Sequence, residues 1–251
     1  GCYNVALGRS SAESLTTANN NTAVGYLALK SNTTANVNTA VGHNTLQANT
    51  TGNSNTAVGQ QALYSNTTAC DNSAVGREAM YNTTTGNCNV AFGHDAGYSN
   101  TTGCGNVYIG FQAGYNSTTP EGNTFVGRSA GCNSGTGNNN TAIGISAGID
   151  AVKNISGTDT HQLVLGNNSV TNAFIKVSFT VTSDLRDKTE IENVPHGLDF
   201  VSKLNPIKYR FMVSREDPVG TGDKKYGFSA QEILELEGDN NVIIDNHDPE
   251  N

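Results

Sequence analysis

The chain has 251 residues, carries a formal net charge of −8 and is only 35% hydrophobic, with no Trp. Ordinary globular domains contain roughly 45–50% apolar residues, so the composition argues against one large compact core and favours small stacked units. Basic clusters are absent, which argues against nucleic-acid binding through phosphate contacts, and no apolar stretch is long enough to insert into a membrane.

A strict period of 17 residues runs through more than half of the chain. A glycine recurs once in each period, and an asparagine precedes each glycine by four positions. Self-similarity at a fixed period is typical of repeat architectures. Residues 1–148 are therefore predicted to form a mainly β, 17-residue-repeat β-solenoid (a β-roll) of nine repeats. The glycines are Gly8, Gly25, Gly42, Gly59, Gly76, Gly93, Gly110, Gly127 and Gly144, and the asparagines run from Asn4 to Asn140.

Each repeat opens with a short strand that has one large and one small apolar face, as in Asn55-Thr56-Ala57-Val58-Gly59. Alternate residues of a strand point to opposite sides. We predict that the large column fills the interior of the coil and that the small column meets another layer, most simply a neighbouring chain. The large column is Leu7, Val24, Val41, Val58, Val75, Phe92, Ile109, Val126 and Ile143; the small column runs from Ala6 to Ala142 and is interrupted by Tyr108 and Phe125.

Three further columns of the repeat have structural interpretations. The glycines suit a tight bend that needs positive φ or a close backbone approach. The asparagines can form a ladder of stacked amides. A second column of small residues indicates a second strand or a corner of each coil; it comprises Ala28, Ala62, Ala79, Ala96, Ala113, Ala130 and Ala147.

These repeats resemble those of two kinds of surface protein. The pattern Asn-x-Ala-(Val/Ile)-Gly-x-x-Ala resembles the β-roll heads of trimeric autotransporter adhesins, and copies such as Asn123-Thr124-Phe125-Val126-Gly127 resemble repeats of phage tail fibres. The resemblance covers residues 4–148 and implies a homotrimeric fibre. The chain opens inside a repeat, so we expect a missing or processed region before Gly1.

Two features inside the repeats leave alternatives open. Cys70, Cys88 and Cys104 lie in adjacent columns of successive repeats, where a Cys70–Cys88 or a Cys88–Cys104 disulfide is sterically feasible; the alternative is buried thiols that fill corners. Asn-x-Ser/Thr triplets recur at nearly one place in the repeat and are either N-glycosylation acceptors or polar turns. They begin at Asn32, Asn49, Asn66, Asn82, Asn100 and Asn116.

The period fails after Gly144, and a β connector is predicted over residues 149–182. From Ser183 the chain is rich in charged residues, and residues 183–251 read as a small α+β module. Apolar spacing predicts a helix over 196–204 that ends before Pro206, a strand over 207–212, a further strand over 226–230 and a helix over 231–237.

This module resembles the C-terminal intramolecular chaperones of endosialidases and phage tail spikes. The resemblance rests on the runs 183–188 (Ser-Asp-Leu-Arg-Asp-Lys), 204–209 (Leu-Asn-Pro-Ile-Lys-Tyr) and 227–232 (Gly-Phe-Ser-Ala-Gln-Glu). It implies a module that trimerises, guides folding of the preceding fibre and then cuts itself off. The implied catalytic pair is Ser183 and Lys188, with cleavage between Thr182 and Ser183. Such modules often carry a helical tail, so we expect this one to be truncated at its C-terminus.

The favoured function is a trimeric viral or phage tail fibre for host attachment, located on the virion tail or another extracellular surface, with an auto-processing chaperone. The alternative is a cellular adhesin or a glycan-coated surface filament. No paired carboxylates indicate an enzyme that acts on external substrates, and no residues indicate a metal or cofactor. The chain itself is the main expected partner, and a host glycan or protein receptor is the second. A tyrosine column (Tyr64, Tyr81, Tyr98 and Tyr115) fits either packing or stacking on sugars.

Overall fold

The structure is a computed structural model, and it describes residues 1–150, 153–173, 198–212 and 220–237. The chain divides into two compact units, Gly1–Ile175 and Lys176–Asn251.

The first unit is a β-solenoid whose coils each contribute one three-residue strand to a ten-stranded parallel sheet. Strand order equals chain order, and successive strands pair in register, so that Ala40 lies beside Ala57 and Val41 beside Val58. The predicted solenoid is therefore confirmed. The strands are β1 (Val5–Leu7), β2 (Thr22–Val24), β3 (Thr39–Val41), β4 (Thr56–Val58), β5 (Ser73–Val75), β6 (Val90–Phe92), β7 (Val107–Ile109), β8 (Thr124–Val126), β9 (Thr141–Ile143) and β10 (Leu163–Leu165).

The two faces of the strands point in the directions opposite to those predicted from the sequence. The small second residue of each strand points into the coil, and Ala23, Ala40 and Ala57 have no exposed surface. The large third residue points outwards, with Val58 36% exposed and Phe92 44% exposed. The prediction was wrong because a different column occupies the interior: Leu29, Leu46, Leu63 and Met80 are fully buried and belong to the same core cluster as the alanines.

Two interior columns exchange volume along the solenoid. The second column supplies Leu29, Leu46, Leu63 and Met80 along the coils whose strands carry alanine, and it becomes glycine at Gly97, Gly114 and Gly131, which face the rings of Tyr108 and Phe125. A Cβ built on Gly97 or Gly114 would clash with the Tyr108 ring, and one on Gly131 would clash with the Phe125 ring. The fold thus keeps a constant core volume, which close-packed interiors require.

The periodic glycines meet both conditions predicted for them. Gly59 has φ of +132° and Gly76 has φ of +137°, conformations that L side chains rarely adopt. A Cβ on Gly59 would also run into the carbonyl of Gly76 in the next coil. Each glycine therefore allows one coil to pass close to the next.

The asparagines four residues before these glycines form the predicted amide ladder inside the solenoid. The backbone N–H of Asn89 donates to Asn72 Oδ1 at 2.9 Å, and Asn72 Nδ2 donates to the Gly86 carbonyl at 2.9 Å. Asn72 and Asn89 are fully buried. Each side-chain amide thus forms hydrogen bonds with backbone groups of neighbouring coils, which would otherwise be buried without a hydrogen-bond partner.

The solenoid continues beyond the boundary predicted at residue 148. Strand β10 pairs in register with β9, so that Leu163 lies beside Thr141. The spacing from β9 to β10 is longer than 17 residues, and Ile155 enters the core beside Gly148. The insertion breaks the 17-residue period but leaves the coil intact, so part of the predicted connector is a tenth coil.

The second unit has α+β structure in its described part. Helix α1 (Leu198–Lys203) precedes an antiparallel pair, β11 (Ile207–Met212) and β12 (Gly220–Gly227), and helix α2 (Ala230–Glu237) follows. The helices and β11 agree with the prediction. Strand β12 begins earlier and ends sooner than the predicted strand over 226–230, because Ser229 instead starts the helix by accepting a bond from the Glu232 backbone N–H at 3.4 Å.

Candidate functional site

The predicted cleavage residues, Ser183 and Lys188, lie outside the described residues, and so does the Thr182–Ser183 bond. The candidate surfaces of the described chain are therefore those of the solenoid. Four of them bear on function: the outer face of the sheet, its two edges, the tyrosine column and the outer turns.

The outer face of the parallel sheet is an uncharged band along the solenoid. Its two columns are the first and third strand residues, all of them Thr, Ser, Val, Ile, Leu or Phe. The third-residue column is substantially exposed, including Ile109 at 40% and Ile143 at 44%. The column just beyond the periodic glycines is mixed: it adds exposed Tyr26, Phe111 and Ile145, and it also holds Arg77 and Arg128. Large contiguous apolar surface of this kind marks interaction sites.

Charged side chains stand at the two edges of this face. Exposed Arg77 and Arg128 follow β5 and β8, and exposed Asp71 and Glu121 precede the same two strands. Arg77 also contacts its neighbour Glu78, with Nε 3.3 Å from Oε1. One edge therefore carries cations and the other carries anions at the same coils.

Four tyrosines form a continuous stack outside the core. The ring centroids are 4.9 Å apart for Tyr64–Tyr81, 5.3 Å for Tyr81–Tyr98 and 5.1 Å for Tyr98–Tyr115, and the planes lie within 12° of parallel. Burial and the neighbouring phenols raise the pKa of Tyr81 and of Tyr98. Because each ring covers the face of the next, stacking on sugars is confined to the two ends, and the column serves packing.

The triplet asparagines divide into two groups. Asn32, Asn49, Asn66 and Asn100 are fully buried, and Asn66 Nδ2 donates to Asn49 Oδ1 at 2.8 Å. A glycan on any of these four amides is incompatible with this packing. Asn82 is half-buried and Asn116 is exposed, because Thr83 and Ser117 occupy the buried column in their repeats. N-glycosylation at the six triplets stays a prediction.

The five cysteines form no disulfide in the described solenoid. Cys70 and Cys104 instead belong to a second, outer ladder that sequence reasoning missed. Asn36 N–H donates to Asn53 Oδ1 at 2.7 Å, and the Sγ of Cys70 accepts the N–H of Asn53 at 3.3 Å in the equivalent place. The thiols thus replace asparagine side chains, and the predicted pairings of Cys88 with Cys70 or Cys104 stay predictions.

The described part of the chain shows neither a group of metal ligands nor a membrane-spanning helix. No group of three or more His, Cys, Asp and Glu side chains could hold a metal ion there. No helix among those residues is long and apolar enough to cross a membrane.

Residues 183–243 match the model of a peptidase family described as chaperone of endosialidase. The resemblance seen in the sequence is thereby confirmed for this segment. No curated protein and no solved structure matches the chain. The chain thus joins a repetitive parallel β-solenoid to a chaperone-type segment, which is the arrangement of a tail-fibre-like protein.

Proposed function

We propose that this chain is the subunit of a homotrimeric structural fibre, most simply a viral or phage tail fibre that contacts a host-surface glycan or protein. Residues 183–251 act as its folding and trimerisation chaperone. The observation that carries the proposal is the chaperone-of-endosialidase match directly after a long solenoid of repeated coils. Repetitive parallel coils can pair in many registers, so a module that aligns three chains before winding has a clear physical role.

The chaperone releases itself by cleavage between Thr182 and Ser183. Ser183 Oγ adds to the Thr182 carbonyl while neutral Lys188 accepts its proton. The amide nitrogen leaves as a new amino terminus, and water then hydrolyses the resulting ester to leave a carboxylate on Thr182. Asp187 lies beside Lys188 in sequence and would hold it charged, so cleavage requires that this carboxylate point away.

Intact mass of the purified product tests the cleavage. We expect a species that ends at Thr182, and we expect Ser183→Ala and Lys188→Ala to retain residues 183–251. Thr189→Ala is the matched control in the same segment and should be cleaved normally. A wild-type product that keeps the full chain after folding would refute self-cleavage for this protein.

Deletion of residues 183–251 tests the chaperone role separately. We expect insoluble or monomeric solenoid from the deletion, compared with soluble trimer from the Ser183→Ala full chain, both measured by light scattering after size-exclusion chromatography. Soluble trimers from the deletion would contradict the proposal. The alternative is a cellular adhesin or a glycan-coated surface filament, which electron microscopy of the source would reveal as free filaments instead of virion-attached fibres.

A further inference from the structure

We propose that the outer face of the parallel sheet is where copies of this chain pack against one another, with the arginine edge of one copy against the acidic edge of the next. This inference rests on the proposed trimer and names the surface that builds it. The sequence had placed the alanine column there instead.

The face suits a partner surface that carries no charge and gives up its water on contact. Its two columns carry no ionisable side chain in any of the ten strands, although the chain as a whole has a formal net charge of −8. Like-charged copies can therefore approach along this band without bringing carboxylates together. The exposed Val, Ile and Phe side chains lose water on contact, which favours association.

The periodicity of the face matches a copy of the same chain. Its side chains repeat at the strand spacing, about 4.8 Å, for the whole length of the solenoid. Only a partner with the same repeat can place a ridge in every groove over ten coils. A second solenoid has that repeat, whereas an unrelated globular partner would match at a few coils only.

The area available is that of a stable interface. Ten strands span about 43 Å along the solenoid, and the strands with their flanking columns are about 20 Å wide. The product, roughly 900 Å² on each copy, is divided between two neighbours in a trimer, and three copies together (3 × 900) bury about 2,700 Å². The flanking column with Tyr26, Phe111 and Ile145 is needed to reach this size.

The charges select a rotational arrangement. Asp71 and Arg77 stand at opposite ends of β5, about 13 Å or more apart, so they do not pair within one chain. A symmetry axis parallel to the solenoid keeps equal coils level, and the end of one strand then meets the start of its equivalent in the next copy. Arg77 therefore faces Asp71 of the neighbouring copy, and Arg128 likewise faces its Glu121.

Photo-crosslinking in the full chain tests the face. A benzophenone amino acid replaces Val58 on the sheet or, as the control, exposed Thr68 on the opposite side of the same coil. We expect covalent dimers and trimers from position 58 alone, with the attached peptides derived from the same coil, residues 53–69. Crosslinks from position 68 only, or to coils far along the chain, would overturn the inference.

Charge exchange tests the edges. Asp71→Arg and Arg77→Asp each place like charges across the interface, so each should cut the yield of position-58 crosslinks several-fold at low salt. The double variant restores opposite charges between copies and should recover the wild-type yield. Arg9→Asp, in a coil whose acidic edge has no carboxylate, is the matched control and should change little.

The outcomes separate this inference from the proposed function. A trimeric full chain that does not crosslink through position 58 refutes the face but leaves the fibre proposal standing. A full chain that is monomeric in light scattering refutes the trimer itself. A double exchange that fails to restore crosslinking, in a protein that does crosslink at position 58, refutes the edge pairing.

Discussion

At the level of single residues, the periodic glycines are the positions where the fold tolerates least change. We expect Gly59→Ala to lower the free energy of unfolding by about 3 kcal/mol or more, because the new Cβ meets both an unfavourable φ of +132° and the carbonyl of the next coil. Thermal unfolding followed by circular dichroism measures the change.

Gly105 provides the matched control for this substitution. It also has positive φ, at +66°, but a Cβ there has nothing within 4 Å. Gly105→Ala should therefore cost only about 1 kcal/mol, the ordinary cost of a left-handed residue. Equal losses at both sites would mean that close coil contact does not explain the glycine period.

The two asparagine ladders should differ in their contribution to stability. We expect Asn72→Ala to cost about 3 kcal/mol, because it removes the acceptor of the buried Asn89 N–H and the donor to the Gly86 carbonyl. Asn87→Ala, in the exposed outer ladder, should cost about 1 kcal/mol, since water can reach the Cys70 N–H that it leaves. Chemical denaturation of both variants measures the difference, and a larger loss at Asn87 would contradict it.

Ionisation of tyrosines should lower the stability of the solenoid at high pH. Burial raises the pKa of Tyr108 well above its ordinary value and raises those of Tyr81 and Tyr98 as well. Their contribution to stability is complete below the ordinary tyrosine pKa of about 10 and is lost as pH rises through the folded values. A pH titration followed by tyrosinate absorbance should show a group of tyrosines that ionise only at the high pH where the protein unfolds.

Tyr108→Phe is the control for that titration. It removes the most deeply buried phenol, whose hydroxyl lies near Ser117 but forms no hydrogen bond of ordinary geometry. The variant should unfold at higher pH than wild type, and fewer of its tyrosines should ionise together with unfolding. An unchanged titration would show that Tyr108 is not responsible.

At the level of the strand, sequence alone located the elements but not their orientation. Periodicity gave nine of the ten strands, because each strand sits at a fixed distance from a glycine that the backbone requires. Alternation could not say which apolar column faces inwards, because both columns are apolar in every repeat. The exchange of Leu63 and Met80 for Gly97 and Gly114 as the strand acquires Tyr108 was the signal that identifies the true interior columns.

The exchange of volume between the two interior columns can be tested by a double-mutant cycle of Tyr108 and Gly114. Tyr108→Ala should cost about 3–5 kcal/mol through the cavity that it leaves. Gly114→Leu alone should also destabilise, because its side chain would overlap the Tyr108 ring. Together they recreate the pairing of Leu63 with alanine strands, so the combined loss should be clearly smaller than the sum. Additive losses would refute the shared core volume.

At the level of the whole molecule, the residues proposed to carry out cleavage lie where periodicity offers no help. The module at 183–243 was recognisable from short runs of sequence, whereas the relation of Ser183 to Lys188 depends on a local geometry that spacing does not define. The outer face was missed for a different reason, since its role is visible only after the interior has been assigned to other residues.

Removal of one whole coil should leave a folded protein. Deletion of residues 56–72 joins Asn55 to Ser73 and restores every column, so the unfolding temperature should fall by only a few degrees. Deletion of residues 56–73 is one residue longer and removes the first residue of the strand as well; it should unfold the solenoid or reduce its cooperativity. Far-ultraviolet circular dichroism and thermal melting distinguish the two, and equal behaviour would contradict the in-register stacking.

The in-register stack has a consequence for how such a protein changes over generations. Because each coil contacts only its two neighbours, a gene duplication or loss of 51 nucleotides, three for each of the 17 residues, is close to neutral for the interior while it moves everything beyond it by about 4.8 Å. The solenoid is therefore expected to lengthen or shorten by whole coils, and selection can act on its length separately from its stability. The length of the solenoid is set by the number of its coils, and a single recombination event can alter that number.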